Sequence, residues 1–282
     1  MTIGIIGLGL IGGSLAKALN RNTEHEVLGF DINNSVILKA KTVGAIRETL
    51  REEDIPCCDM LLLALYPQAA VDFVTQHAAY IKKGAVVIDC CGVKRVVCDA
   101  LRPVAKEHGF TFIGGHPMAG KQFSGFWYSS ESLFENASMI FTPDQDIDIQ
   151  TLYTVRDLFR SLGFTNIEIT SPDNHDNLIA YTSQLAHVVS NAYVKSPSAL
   201  KHAGFSAGSY RDLTRVAWLN EKMWTELFFD NADHLSQEID HIITELQKYS
   251  TALKEGNREE MIRLLRDGKE RKEQIDGKED LE

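Results

Sequence analysis

Cysteine is scarce, and it is not patterned for metal or disulfide chemistry. The five cysteines, Cys57, Cys58, Cys90, Cys91 and Cys98, are odd in number and include two adjacent pairs but no CxxC spacing. That excludes a disulfide framework and a zinc site, so no metal is expected, and a reducing, cytoplasmic setting fits best. Basic residues are also in short supply, 29 Lys and Arg against 39 Asp and Glu, for a formal charge of −10. Nucleic acid and anionic membrane surfaces are thereby excluded as main partners, because both need a net or clustered basic face. No uninterrupted apolar run approaches the length of a membrane span. The apolar start "MTIGIIGLGLIGGSLAKAL" has no basic residue ahead of it and is interrupted by glycines at 4, 7, 9, 12 and 13, so it does not read as a targeting segment. No internal repeat is present.

What the chain does have is a core and two patterns. With 282 residues, 44% hydrophobic and 24% charged, it can bury a substantial interior and form two domains. Strand-like runs occur at "TIGIIG", "EVLGFDIN", "DMLLLALY", "GAVVIDCC", "FTFIGG", "SMIFTP" and "NIEIT". Segments with helical spacing such as "PQAAVDFVTQHAAYIKK" and "VKRVVCDALRPVAKEHG" lie between them. Such alternation predicts an α/β fold, a doubly wound, mostly parallel sheet of Rossmann type covered on both faces. From Ser171, followed by Pro172 and Asp173, strand signals stop and helical ones continue. The expected division is therefore a nucleotide-binding domain over 1–170 and an all-helical domain over 171–282. Only "KSPSALKHAGFSAGSYRD" interrupts the second half, as a long loop, and "DGKEDLE" reads as a frayed tail.

The glycines of "GLGLIG" specify a ligand. Gly7, Gly9 and Gly12 stand in GxGxxG spacing between a strand and a helix, and Asp31 ends the next strand. Gly7 makes the tight turn, Gly9 admits a pyrophosphate to the backbone, and Gly12 lets helix and strand pack closely. The first helical residues, Leu10, Ile11 and Gly12, then present free N–H groups and the positive end of the helix dipole to the phosphates. Asp31 would bind adenine-ribose hydroxyls and repel a 2′-phosphate, and Ile32, Asn33 and Asn34 supply no arginine for one, so NAD is favoured over NADP. Taken alone the spacing would also fit glycines that only allow tight packing; strand, helix and distal acid together favour the cofactor.

Ligands of such sheets lie beyond the carboxyl ends of the strands. The segments leaving those ends include "LYPQ", "CCGVK" and "GGHPMAGK", which puts His116 on the nicotinamide rim. A histidine that merely caps a strand turn is the plainer reading of "FIGGHPMAG" by itself.

These segments, with "SQLAHVVSNA" and "YRDLTRVAWLNEKMW" in the helical half, resemble the prephenate dehydrogenase family over almost the whole chain. The resemblance implies NAD-dependent oxidative decarboxylation of prephenate to 4-hydroxyphenylpyruvate, a step of tyrosine biosynthesis. By motif, His116 matches the histidine that hydrogen-bonds the C4 hydroxyl of the substrate, and Arg215 matches the arginine that binds a substrate carboxylate. His187 and Trp224 match further pocket positions. Gln184 stands where the family often has a second histidine, and Gly92 where it often has a serine. Because prephenate is a dicarboxylate and the chain is acidic, local cations are needed; Arg215, Arg211, Lys94 and Lys121 are the candidates. The plainer alternatives are surface lysines for Lys94 and Lys121, and core residues for His187 and Trp224.

Three other functions are compatible with parts of this pattern. Arogenate dehydrogenase uses the same fold and histidine on the aminated substrate. A β-hydroxyacid or imine reductase shares the domain order but usually places a catalytic lysine where this chain offers His187 and no lysine before Lys195. A non-enzymatic NAD sensor would bind the cofactor without turnover. A homodimer through the long amphipathic helices of the second half is expected, with Gly208, Arg211 and Asp212 serving either subunit's site. No separate regulatory domain is expected.

Overall fold

The computed structural model describes residues 1–279. The first half alternates β1 (Thr2–Ile6), α1 (Leu10–Asn22), β2 (Glu26–Phe30), α2 (Asn34–Thr42), β3 (Glu48–Thr49), β4 (Met60–Leu63), α3 (Pro67–His77), β5 (Val86–Asp89), α4 (Arg95–His108) and β6 (Thr111–Pro117). It continues through β7 (Ser138–Thr142), α5 (Ile149–Ser161) and β8 (Asn166–Ile169). The eight strands form one sheet in the order β3-β2-β1-β4-β5-β6-β7-β8. Every neighbouring pair is parallel except β6 with β7. The strands are apolar on both faces because both faces are covered: Met60 and Leu62 of β4 join one core layer, Leu61 and Leu63 the other. Each fully buried Leu, Ile or Phe contributes about 1.5–3 kcal/mol, and these two layers hold most of them.

The direction change after β6 matters for the site. His116 is not in a turn, as "GGHP" suggests, but inside β6, paired with Ile140 of β7. The glycines before it are required by crowding. A Cβ on Gly114 would stand 2.2 Å from the Thr142 hydroxyl, and one on Gly115 2.5 Å from the Asp89 carbonyl.

The helical half begins as expected, with the Ser171 hydroxyl accepting the Asn174 N–H and Pro172 in the first helical position. α6 (Pro172–Ile179), a π-helical turn (Ala180–Leu185) and α7 (Ala186–Tyr193) run on as one helix. α8 (Gly208–Thr214) and α9 (Glu221–Phe229) follow. The segment expected as one long loop is thus shorter, since Gly208, Arg211 and Asp212 lie on α8.

Residues 1–231 form one compact unit and residue 232 onward a second. Residue 170 marks where strands give way to helices, yet α6 to α9 stay with the sheet. The reason is polar: Arg95 of α4 binds Asp176 of α6, and the Gln68 N–H of α3 is capped by Glu226 of α9 at 2.8 Å. The second unit is a hairpin of α10 (Ala232–Lys254) and α11 (Arg258–Glu279), turned at Gly256, where φ is +65°. The helix continues through Glu279, into the segment expected to fray, and residues 280–282 lie outside the described residues. Among its residues Ala252 and Leu264 are buried, while Ile243, Leu246, Leu253, Ile262 and Leu265 stay exposed.

Candidate active site

The glycine loop has the shape a dinucleotide needs. Gly7 has φ +87°, and a Cβ on Gly12 would sit 1.8 Å from the Gly7 carbonyl oxygen, so strand and helix meet here only without side chains. Gly9 is different: a Cβ there meets nothing within 4 Å. It is the N-cap of α1, provides no side-chain cap, and leaves the amides of Leu10, Ile11 and Gly12 without intrahelical partners in a first turn free of acids. Asp31 is held beside this loop, its carboxylate accepting the Leu8 N–H and the Asn33 N–H, each at 2.9 Å. These residues fit a dinucleotide with an unphosphorylated ribose.

β1, β2, β4, β5 and β6 run parallel, so the glycine loop, Asp31, Asp89 and His116 all lie on one rim of the sheet. Half-buried His116 is joined through Nδ1 to Nε2 of His175, at 2.9 Å. His175 Nδ1 in turn lies 2.7 Å from the Asp176 carboxylate. That carboxylate also accepts the backbone N–H groups of Lys94 at 2.7 Å and Arg95 at 2.9 Å, and Arg95 Nε at 3.3 Å. Burial, the neighbouring His175 and the charge of Lys94 push the His116 pKa well below its usual value. Burial and Lys94 lower His175 too, against the opposing pull of Asp176. For Asp176 burial acts to raise the pKa, but the bonds from His175, Arg95 and Lys94 outweigh it and hold the group ionised.

Lys94 is neither a surface lysine nor an open ligand. It is fully buried and paired with buried Asp89, whose carboxylate also accepts the N–H groups of Cys91 and Gly115 at 2.9 and 3.1 Å. Burial opposes the charge on Lys94, and Asp89 more than offsets it. The pair therefore braces the residue that precedes His116. Burial pushes the adjacent Cys90 thiol up to about 12, so this rim holds no thiolate nucleophile.

Other candidates form a second group. The His187 and Trp224 rings lie 4.0 Å apart, and His187 Nδ1 is 2.8 Å from the Ser183 carbonyl. Burial lowers the His187 pKa, as does the charge of exposed Arg215, which follows α8 directly. Gln184 is not open to a ligand: it is buried, its amide donating to the Leu227 carbonyl and accepting from Asn231, both at 2.8 Å. Lys121 is exposed and donates to the Tyr128 carbonyl at 2.9 Å. Gly92 faces Leu227, with room for a Cβ at 3.4 Å.

Comparison with known proteins places this geometry. Sequence models of the prephenate dehydrogenase family match residues 15–168, as its nucleotide-binding domain, and residues 171–267, as its dimerization domain. The chain belongs to the prephenate dehydrogenase family. Cyclohexadienyl dehydrogenase of Zymomonas mobilis is 30% identical over 266 residues, covering 89% of this chain and 88% of the relative. The crystal structure of prephenate dehydrogenase from A. aeolicus, in complex with hydroxyphenyl propionate and NAD+, superposes with a TM-score of 0.86 at 28% identity, covering 98% of each chain. Synechocystis arogenate dehydrogenase gives 0.81 at 26%, covering 98% of this chain and all of the other.

Motif reading of the family pattern missed His175, Asp176, Asp89, Arg95 and Asn231. A signal for two of them exists: residues 175, 176, 179 and 180 form the buried stripe of one helix, and a histidine and an aspartate on such a stripe must find partners. Asn231 has no such signal. It is buried, donates to the Asp176 carbonyl at 2.8 Å and accepts from Arg95 at 3.0 Å. Together the rim offers a neutral imidazole, with Nε2 lacking a protein partner among the described residues, beside a dinucleotide loop. That arrangement can accept a proton while a hydride leaves.

Proposed function

We propose that the chain is an NAD-dependent prephenate dehydrogenase, converting prephenate to 4-hydroxyphenylpyruvate and CO2. The observation that carries this is the neutral His116 on the same strand rim as the glycine loop, in a chain of this family. Bound NAD supplies the hydride acceptor, held by Gly7, Gly9 and Gly12, the amides of Leu10 and Ile11, and Asp31. His116 accepts the hydrogen bond of the C4 hydroxyl. As the C4–H electron pair departs with hydride, the bond to the ring carboxylate breaks, CO2 leaves, and that pair completes the aromatic ring. His116 draws the hydroxyl proton during this step and returns it to the phenol, so charge balances without a further reactant. Arg215 binds the remaining carboxylate as a charge-assisted pair, beside His187 and Trp224.

Residues 1–170 serve as the cofactor domain and 171–282 as the substrate and dimerisation domain of a cytoplasmic homodimer. A dimerization-domain match over 171–267 and the exposed apolar residues of α10 and α11 support the association. No helix among the described residues is long and apolar enough to cross a membrane.

One observation favours arogenate as a second reading. A neutral His187 donates through Nδ1 to the Ser183 carbonyl, which leaves an acceptor at Nε2, a partner for an ammonium rather than a keto group. Purified protein given NAD with each substrate, followed by NADH absorbance, decides. The expected result is a higher kcat/KM on prephenate; a much higher value on arogenate reverses the assignment, and no turnover of either refutes both.

A further inference from the structure

The polar chain behind His116 dictates which of its ring nitrogens bears the proton. Ionised Asp176 can only accept, so the 2.7 Å bond to His175 Nδ1 is donated by His175. A neutral His175 protonated on Nδ1 has its lone pair on Nε2. The 2.9 Å bond between His175 Nε2 and His116 Nδ1 is then donated by His116. His116 is left with its lone pair on Nε2.

We propose that His175 and Asp176 are positioning residues that hold His116 in the Nδ1–H tautomer and share its charge as the substrate hydroxyl proton is drawn to Nε2. The inference rests on His116 being the base. The orientation of Asp176 is set from outside its own helix. α4 has no side-chain cap of its own, and Asp176 fills that place by accepting the Lys94 and Arg95 N–H groups. A carboxylate at a helix N-terminus is stabilised by the dipole, which keeps it ionised and an acceptor. Since those bonds join α4 to α6, the tautomer of His116 is tied to the docking of the helical segment against the sheet. The charged and titratable groups facing this chain are Lys94 and Arg95 at the head of α4, Asp89 at the end of β5, Asp173 on α6 and Asp230 after α9.

Asp176→Asn tests the idea without removing the cap. The two backbone donors require the Asn oxygen to face them, so its NH2 turns to His175 Nδ1 and donates. His175 must then carry its proton on Nε2, and His116 becomes a donor where it has to accept. The expected outcome is a kcat lower by roughly 10²- to 10⁴-fold, the range for a mis-set tautomer or a lost acid–base group. NAD affinity should stay within about twofold, and nitrogen-15 NMR of the labelled protein should find His116 protonated on Nε2. His175→Gln should outperform His175→Leu by at least about tenfold, because Gln can accept from His116 and donate to Asp176. An Asp176→Asn protein with unchanged His116 tautomer and kcat within threefold would overturn the proposal. So would equal activities of the Gln and Leu variants, a comparison that stands even if Asp176→Asn fails to fold. His116→Ala is the control: near-full activity there would instead sink the base assignment, whereas an inactive His116→Ala beside fully active Asp176→Asn and His175→Gln would sink only the relay.

Discussion

Gly9 and Gly12 differ in what an added methyl would meet, and alanine at each position separates cofactor space from protein space. At Gly12 the new Cβ lies 1.8 Å from a backbone oxygen, at least about 1.6 Å short of ordinary contact, so α1 must shift against β1. Overpacking of this kind costs about 1–3 kcal/mol or more. At about 2–4 °C per kcal/mol for a unit of this size, Tm should fall by roughly 2–12 °C. At Gly9 φ is −71° and nothing lies within 4 Å, so the folded apoprotein tolerates the methyl, losing at most about 1 kcal/mol of N-cap preference. The methyl instead occupies the approach of the pyrophosphate to the amides of Leu10 and Ile11. Losing one charge-assisted hydrogen bond there costs about 1.5–3 kcal/mol, a Kd for NAD about 10- to 150-fold weaker. Thermal melts without ligand and calorimetric titration with NAD measure both quantities on both variants. A Gly9→Ala protein that binds NAD within threefold of the parent would refute the placement of the phosphates, whatever its Tm.

Three further outcomes are expected. Because His116 is held well below its ordinary pKa and must be neutral to accept the proton, kcat should stay flat down through about pH 6.5 and fall only well below it; an acid limb centred at 6.5 or above would contradict the environment described. The same depressed pKa means the unfolded chain binds that proton first, so stability should decline as pH drops below about 6.5, which urea titrations over pH 5–8 would detect. Lys94→Met leaves Asp89 buried and unpaired, at a cost of about 3–5 kcal/mol and roughly 6–20 °C in Tm, and a melt within about 3 °C of the parent would show that the pair is not structural. Arg215→Ala should raise KM for the substrate while kcat changes little, as for a contact made equally in ground and transition states; an equal fall in kcat and kcat/KM would assign it a transition-state role instead.

The alternation of strands and helices was legible because burial on both faces writes continuous apolar runs for strands and a 3.6-residue period for helices. Strand direction leaves no such trace, so nothing in "SMIFTP" marks β7 as antiparallel to β6. β3 went unseen because its two residues, Glu48 and Thr49, carry no apolar pattern. The glycine loop and His116 could be read because their chemistry depends on local spacing. His175 and Asp176 could not be read in the same way. "SPDNHD" presents the residue types that open any helix, and only the approach of α4 gives its last two members their partners. Lys94 misleads for a similar reason, since lysines are usually exposed and Asp89 becomes its partner only when the end of β5 and the head of α4 converge. The segment from Gly208 to Thr214 has loop composition, yet it folds as α8.

The π-helical turn at Ala180–Leu185 has a genetic consequence. A π turn amounts to one residue more than an ideal helix holds over the same length. Deleting a single codon there would restore regular hydrogen bonding, and by helix geometry it would rotate everything downstream by about 100° relative to α6. His187 would swing away from Trp224 while His175, upstream, kept its place. The most accessible stabilising mutation in this segment is therefore one that dismantles the pocket, and a lineage under selection for turnover is expected to keep the irregular helix.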